Sequence, residues 1–175
     1  MAHLPRDRRR AHGARAAMIV RPATPADVPA IHALVTAFAS ENDQAQWVRG
    51  SAASLHQALF GDGARCAAFV AADAAGVGGV ALWFLTYHFW LGQPVLYLED
   101  LYVARSARGA GVGEALMRAL AAEAVARGCA WMDWQVLTEN VAAQRFYARL
   151  GAVEQSEWRL WRLEGQALTD LAGTA

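Results

Sequence analysis

The sequence predicts an α/β (α+β) domain built on one central mixed, mostly antiparallel sheet. Three observations carry this. Alternating apolar runs and helical stripes follow one another as strand, two helices, three strands, helix, strand, helix, strand. The strand-helix-strand unit in the middle implies a parallel pair, whereas the tight turns before it imply antiparallel hairpins. With 175 residues, 55% of them apolar, the chain suits one domain with a sizeable core.

The elements follow in order. "MIVRPAT" reads as a short strand ending at Pro22, and "TPADVPAIHALVTAF" as a helix. Thr24 can cap that helix, Pro25 fits its first turn, and Asp27 suits the positive end of its dipole. Ile31, Leu34, Val35 and Phe38 then recur at helical spacing. "ENDQAQW" is a polar connection, and "SAASLHQALFGDG" a shorter helix closed by glycine. "CAAFVAADAAGVGGVALWFLTYHFW" reads as strand, turn at Asp73 to Gly76, and strand. Gly92-Gln93-Pro94 forms the next turn, and "PVLYLEDLYV" the strand after it. Leu116, Met117, Leu120, Ala124 and Val125 make one helical stripe that stops at Arg127-Gly128. "CAWMDWQVL" is a further strand, "NVAAQRFYARLG" a helix ending in glycine, and "EWRLWRLE" a last strand.

Composition excludes several classes. Sixteen basic and sixteen acidic residues cancel, so no overall field argues for nucleic acid or an anionic membrane. The arginine-rich start reads as a disordered basic leader over residues 1–17, in preference to a transit peptide or a nucleic-acid arm. One domain is expected over 18–165, with a tail over 166–175. The chain has no lysine, which rules out a lysine nucleophile, a Schiff base or a phosphate-loop lysine. Cys66 and Cys129 stand alone, without C-x-x-C spacing, so neither a disulfide framework nor a metal site is expected, and both read as buried thiols. Residues 74–98 carry no charge, long enough to raise a membrane span. The turn at Gly92 and the wealth of valine and aromatics favour two buried strands instead.

"RSARGAGVGEAL", from Arg105 to Leu116, leaves a strand and enters a helix through three closely spaced glycines. Such a loop turns successive backbone N–H groups toward an anion at the positive end of the helix dipole. Glycine lets phosphate oxygens reach the backbone, and Arg108 adds a charge-assisted contact. A Rossmann G-x-G-x-x-G fails from Gly109, where the third glycine falls on Glu114, and from Gly111, where it falls on Leu116. The G-x-x-x-x-G-K-[ST] loop fails for want of lysine. R-x-x-G-x-G fits, as Arg108, Gly111 and Gly113.

The preceding strand carries a second signal. Leu96 and Leu98 alternate onto one face, but the apolar residues resume at Leu101 and Val103, one position out of phase. A β-bulge near Glu99-Asp100 returns both pairs to the core.

With these motifs the chain resembles the GNAT superfamily of N-acetyltransferases, whose acetyl-CoA loop reads Q/R-x-x-G-x-G/A between strand and helix. "FLTYHFWLG", "LYLEDLYV" and "RGAGVGEAL" look like its diamine (spermidine/spermine) acetyltransferase branch, and "VRPAT", "RFYARLGA" and "EWRL" extend the likeness over most of Met18 to Leu163. The resemblance implies a splayed parallel strand pair, helices on both faces of the sheet, and acetyl-CoA as cosubstrate. It implies cofactor contacts from Leu101, Tyr102 and Val103 along the pantetheine arm, from the loop residues Arg108, Gly109, Ala110, Gly111, Val112, Gly113 and Glu114, and from Asn140, which also reads as a plain N-cap. It also implies that Leu101 N–H stabilises the oxyanion and that Tyr147 protonates the departing thiolate.

An ammonium with pKa of about 10.4 costs roughly 4.6 kcal/mol to deprotonate at pH 7. Glu99 is the expected base, through water, on the premise that a carboxylate between aromatic-rich strands would be costly to bury idle. No histidine pairing is suggested for either cysteine, which favours direct transfer in a ternary complex over an acyl-enzyme. Trp90, Glu99, Asp100, Asp133, Glu41 and Trp158 are the candidate substrate-binding residues, an acidic and aromatic set suited to a small cationic amine. His88 stands where the branch has aspartate in "TYDPW", Asn42 falls near its substrate glutamate, and Ser156 replaces a late acidic residue, so polyamine, amino acid and antibiotic amines all stay open. A non-catalytic CoA-sensing module on the same fold is the alternative. A nucleic-acid adaptor using the leader is disfavoured by the neutral charge. A cytoplasmic homodimer is expected from the likeness, with no membrane or nucleic-acid partner.

Overall fold

The computed structural model describes residues 18–173, so the leader expected over residues 1–17 lies outside the described residues. The chain divides into two compact units, with the boundary after Gln135.

The first unit is a five-stranded sheet ordered as in the sequence: β1 Ile19–Pro22, β2 Ala67–Asp73, β3 Gly76–His88, β4 Gln93–Val103 and β5 Met132–Asp133. The first three pairings are antiparallel and the last is parallel. β2 and β3 turn at Ala74-Ala75, where Asp73 Oδ1 accepts from Ala75 N at 2.8 Å. The next hairpin turns over residues 89–92, not at Gly92-Gln93-Pro94. Gly92 supplies the positive φ of 66°, and Gln93 and Pro94 already pair with His88 and Tyr87.

Helices α1 Val28–Glu41 and α2 Ala52–Phe60 cover one face of the sheet. Ile31, Leu34 and Leu59 pack there against Ala68, Val70, Val80, Leu82 and Tyr102. Helix α3 Val112–Ala126 lies on the opposite face, where Val112 and Leu116 come so near Gly79 that a Cβ would stand 3.1 and 3.2 Å from them. Of the expected α3 stripe, Leu116, Met117, Leu120 and Ala124 are buried; Val125 is 80% exposed, because it falls beyond the arc that faces the sheet.

The entry to α1 is tied by one carboxylate. A 3-10 turn over Pro25–Asp27 precedes the helix. Asp27 accepts from Thr24 N at 2.7 Å and Thr24 Oγ1 at 2.8 Å, and takes both ends of the Arg21 guanidinium at 2.7 and 2.8 Å. Thr24 thus donates its hydroxyl to Asp27 while the acid does the capping. The Arg21 hydrogen bonds hold the Asp27 carboxyl well below the usual range.

The second unit holds α4 Val141–Arg149 and α5 Gly165–Leu171. α5 lies almost wholly within the stretch expected as a tail. The last strand expected at "EWRLWRLE" does not form: residues 157–164 have no regular structure, and Trp158 and Trp161 are 78% and 90% exposed. An alternating apolar pattern makes a strand only where an edge pairs with it, and among the described residues of that unit none provides one. For the same reason the strand expected at "CAWMDWQVL" contracts to β5, the two residues that β4 bonds.

Candidate functional site

Asp100 stands opposite Leu82 in the β3–β4 register and Leu98 opposite Trp83, which leaves Glu99 as the extra residue of a β-bulge. The phase slip in the sequence therefore has the expected cause. On either side of it, Leu96 and Leu98, then Leu101 and Val103, turn to the α3 face, the first pair buried and the second half-buried.

The bulge lies where the sheet opens. β4 pairs with β5 only through Leu96–Met132 and Tyr97–Asp133, so among the described residues no strand borders β4 from Leu98 to Val103 on the side away from β3. Backbone direction along this edge follows from alternation. Leu96 N donates to Trp131 O on the β5 side, whereas Ala104 N donates to Gly78 O on the β3 side. Leu101 and Val103 thus present their backbone groups to the open edge, where Val103 O accepts from Arg108 Nε at 2.9 Å.

The glycine loop continues from that edge. After a 3-10 turn over Arg105–Ala107, Gly109 and Gly111 take φ of 79° and 76°, a left-handed backbone that side chains disfavour. Gly111 is the N-cap of α3, and Ala115 N makes the first helical bond to its carbonyl at 2.9 Å. The N–H groups of Val112, Gly113 and Glu114 precede any intrahelical acceptor. Residues 108–111 are exposed and Val112 is buried, so the loop is anchored from beneath and open above. The Glu114 side chain accepts from Arg118 Nη2 at 2.6 Å.

Glu41, expected at the amine, is bound to this loop. Its carboxylate accepts from Arg108 Nη2 at 2.6 Å, Tyr102 Oη at 2.7 Å and Arg105 Nε at 2.9 Å. Those hydrogen bonds, Arg108 first, pull its pKa down to about 2. The Arg108 guanidinium also lies over the Tyr102 ring, 5.5 Å from its centroid. Arg105 is the member that sequence reasoning missed, since nothing local connects it with a residue 64 positions earlier.

The two carboxylates of the bulge differ. Glu99 is exposed, which removes the premise that its burial would be costly; Asp100 is half-buried. Burial, with the Glu99 charge beside it, pushes the Asp100 carboxyl up to about 6. The Tyr97 ring is tilted by 35° against Phe84 with centroids 5.1 Å apart, and its hydroxyl pKa is raised by burial and by the charges of Glu99 and Asp133. Asp133 accepts from Trp131 Nε1 at 2.8 Å, and His88 bridges Trp131 and Trp90 through edge contacts of 5.1 and 5.9 Å. The structure thus brings Glu99, Asp100, Asp133 and an aromatic group to one end of the first unit. Trp90, at the hairpin tip, is 89% exposed.

Asn140, Tyr147 and Trp158 belong to the second unit. Asn140 caps α4, accepting from Ala143 N at 3.0 Å. Tyr147 contacts Phe146 edge to face, and burial pushes its hydroxyl up to about 12. Cys66 and Cys129 are free and half-buried, less enclosed than expected.

Comparison with known proteins agrees with this architecture. An integron cassette protein from the mobile metagenome of V. cholerae superposes with a TM-score of 0.76 at 24% identity, over 89% of this chain and 98% of its own, a likeness of fold. The thialysine N-epsilon-acetyltransferase of Bos taurus is 37% identical over 100 residues, 55% of this chain and 58% of that protein. The L-ornithine N5-acetyltransferase NATA1 of Arabidopsis thaliana is 39% identical over 92 residues, 53% of this chain and 40% of that protein. These matches span about half the length of such relatives. Residues 29–152 match the Acetyltransferase (GNAT) family, and the chain belongs to that family.

Proposed function

We propose that the chain is an N-acetyltransferase that moves an acetyl group from acetyl-CoA to a primary amine of a small cationic molecule, by direct transfer in a ternary complex. The observation that carries this is the open β4 edge, bulged at Glu99 and running straight into the left-handed glycines of the loop. An extended amide-bearing arm fits such an edge as an added strand along Leu101, Tyr102 and Val103. A diphosphate fits the N–H groups of Gly111, Val112 and Gly113, with Gly109, Ala110 and Glu114 lining the loop.

In this reading Leu101 N–H faces the acetyl oxygen and stabilises the charge that develops there. Glu99, Asp100 and Asp133, with Trp90, hold the ammonium, and a carboxylate of the bulge accepts its proton. Tyr147 keeps its proton through neutral pH and gives the departing sulfur a hydrogen bond; Asn140 contacts the CoA arm and Trp158 the amine. The thialysine and ornithine named for the relatives are amines with a second charged group, which suits three carboxylates near one aromatic wall. The acetyltransferase domain covers 18–165, and the protein works as a cytoplasmic homodimer, both read from the family likeness.

Calorimetry with CoA and acetyl-CoA is expected to give micromolar binding that weakens about tenfold in Gly111→Ala, where a side chain would strain the left-handed turn by roughly 1–2 kcal/mol. Absence of binding up to millimolar cofactor rejects the proposal. Binding without thiol release over polyamines, amino acids and aminoglycosides would mark a CoA-sensing module instead.

A further inference from the structure

A bulge that places two carboxylates side by side in different surroundings separates their chemistry. Glu99, the extra residue, is exposed and stays with water. Asp100 is set into the α1 face: Leu82, 9% exposed, stands across from it, and Tyr102, 6% exposed, is two positions on along the same face. Among the described residues no donor reaches its carboxylate, in contrast to Glu41 with three and Asp27 with four. A half-buried carboxylate without a donor is unfavourable for the fold, and such groups gather where proton transfer is needed.

We propose that Asp100, rather than Glu99, takes the proton from the bound ammonium, and that the exposed Glu99 draws in and holds the cation. This rests on the acetyltransferase reading. One N–H proton passes to an Asp100 oxygen and on to solvent. The freed nitrogen lone pair forms the C–N bond to the acetyl carbon. The C–S bond then breaks with its electron pair on sulfur, and the sulfur gains the second nitrogen proton. The balance is one ammonium and one thioester giving one amide, one thiol and one released proton.

The surroundings favour this division. The charged and titratable groups around Asp100 are Glu99 beside it, Tyr97 and Asp133 across the parallel pair, and Tyr102 with Glu41 from α1, the last neutralised by Arg105 and Arg108. Opposite on β3 stand only apolar Val80, Leu82 and Phe84. Among the described residues no cation offsets the burial, and the resulting value of about 6 leaves Asp100 ionised at neutral pH yet a better proton acceptor than an ordinary carboxylate.

The test has two arms on the full chain. Carbon-13 NMR titration of side-chain carboxyls, comparing wild type with Asp100→Asn, is expected to show one aspartate resonance with a midpoint near 6 that the substitution removes. A midpoint near 4 for Asp100 overturns the inference, whatever the substrate. In the second arm, thiol release from acetyl-CoA with spermidine, L-ornithine and thialysine is followed against pH. Wild type should lose kcat/KM on an acid limb near pH 6. Asp100→Asn should lose 100-fold or more in kcat together with that limb; Glu99→Gln should keep the limb and raise the amine KM about tenfold. Loss of the limb in Glu99→Gln with retention in Asp100→Asn overturns the proposal. CoA calorimetry separates the two levels, since wild type that fails to bind CoA condemns the acetyltransferase reading, whereas cofactor binding with a misplaced limb condemns this assignment alone.

Discussion

At the scale of single residues the structure reverses an expectation held from the sequence, because adjacency does not say which of two acids is enclosed. Glu99 and Asp100 are chemically alike as letters, and only the bulge separates an exposed from a half-buried carboxylate. The enclosure has a consequence for stability. Asp100 has its folded pKa raised, to about 6 from an unfolded value near 3.9, so the folded state binds the proton more tightly than the unfolded one. Its penalty is absent below pH 4, grows as pH rises through that window, and reaches roughly 3 kcal/mol above pH 6. Asp100→Asn should therefore raise the melting temperature at pH 7 while lowering activity, and the gain should shrink on acidification to pH 4. A thermal melt at both pH values checks this; a variant less stable than wild type at pH 7 contradicts the account of the site.

At the scale of elements, the glycine loop and the bulge were legible because each leaves a local signature: glycines where φ must be positive, and a hydrophobic alternation that slips by one. The entry to α1 was legible for its residue types but not for its wiring, since Asp27 receives Thr24 and Arg21 together. Its depressed pKa reverses the sign found for Asp100. Stability from Asp27 is fully present above an unfolded pKa near 3.9 and is lost as pH falls further toward the folded value. Asp27→Asn should cost about 2–3 kcal/mol at neutral pH through loss of charge-assisted bonds and of the cap, and should flatten the acid side of the unfolding curve. Denaturant titration at pH 7 and pH 3 measures both effects. "EWRLWRLE" failed as a strand because alternation specifies a face but not a partner, and Trp158 and Trp161 stay exposed.

At the scale of the whole molecule, most of the sheet of the first unit was readable from element order, since the helix between β4 and β5 fixes one parallel pair and short turns fix β2–β3 and β3–β4; the antiparallel β1–β2 pair, joined through two helices, was not. What the order did not carry was how little of that parallel pair is bonded. Pairing stops after Tyr97, and the opening it leaves gives β4 an edge with Leu101 and Val103 turned outward. Long-range links escaped as well: Glu41 meets Arg105 and Arg108 only because α1 folds back over the sheet, so a residue expected at the amine is joined to the loop. The most direct measurement is a crystal structure of the CoA complex. The pantetheine arm is expected to be hydrogen-bonded along Leu101 to Val103, and the diphosphate to lie within hydrogen-bonding distance of the N–H groups of Gly111 to Gly113. A cofactor bound elsewhere, with that edge and loop untouched, would contradict this.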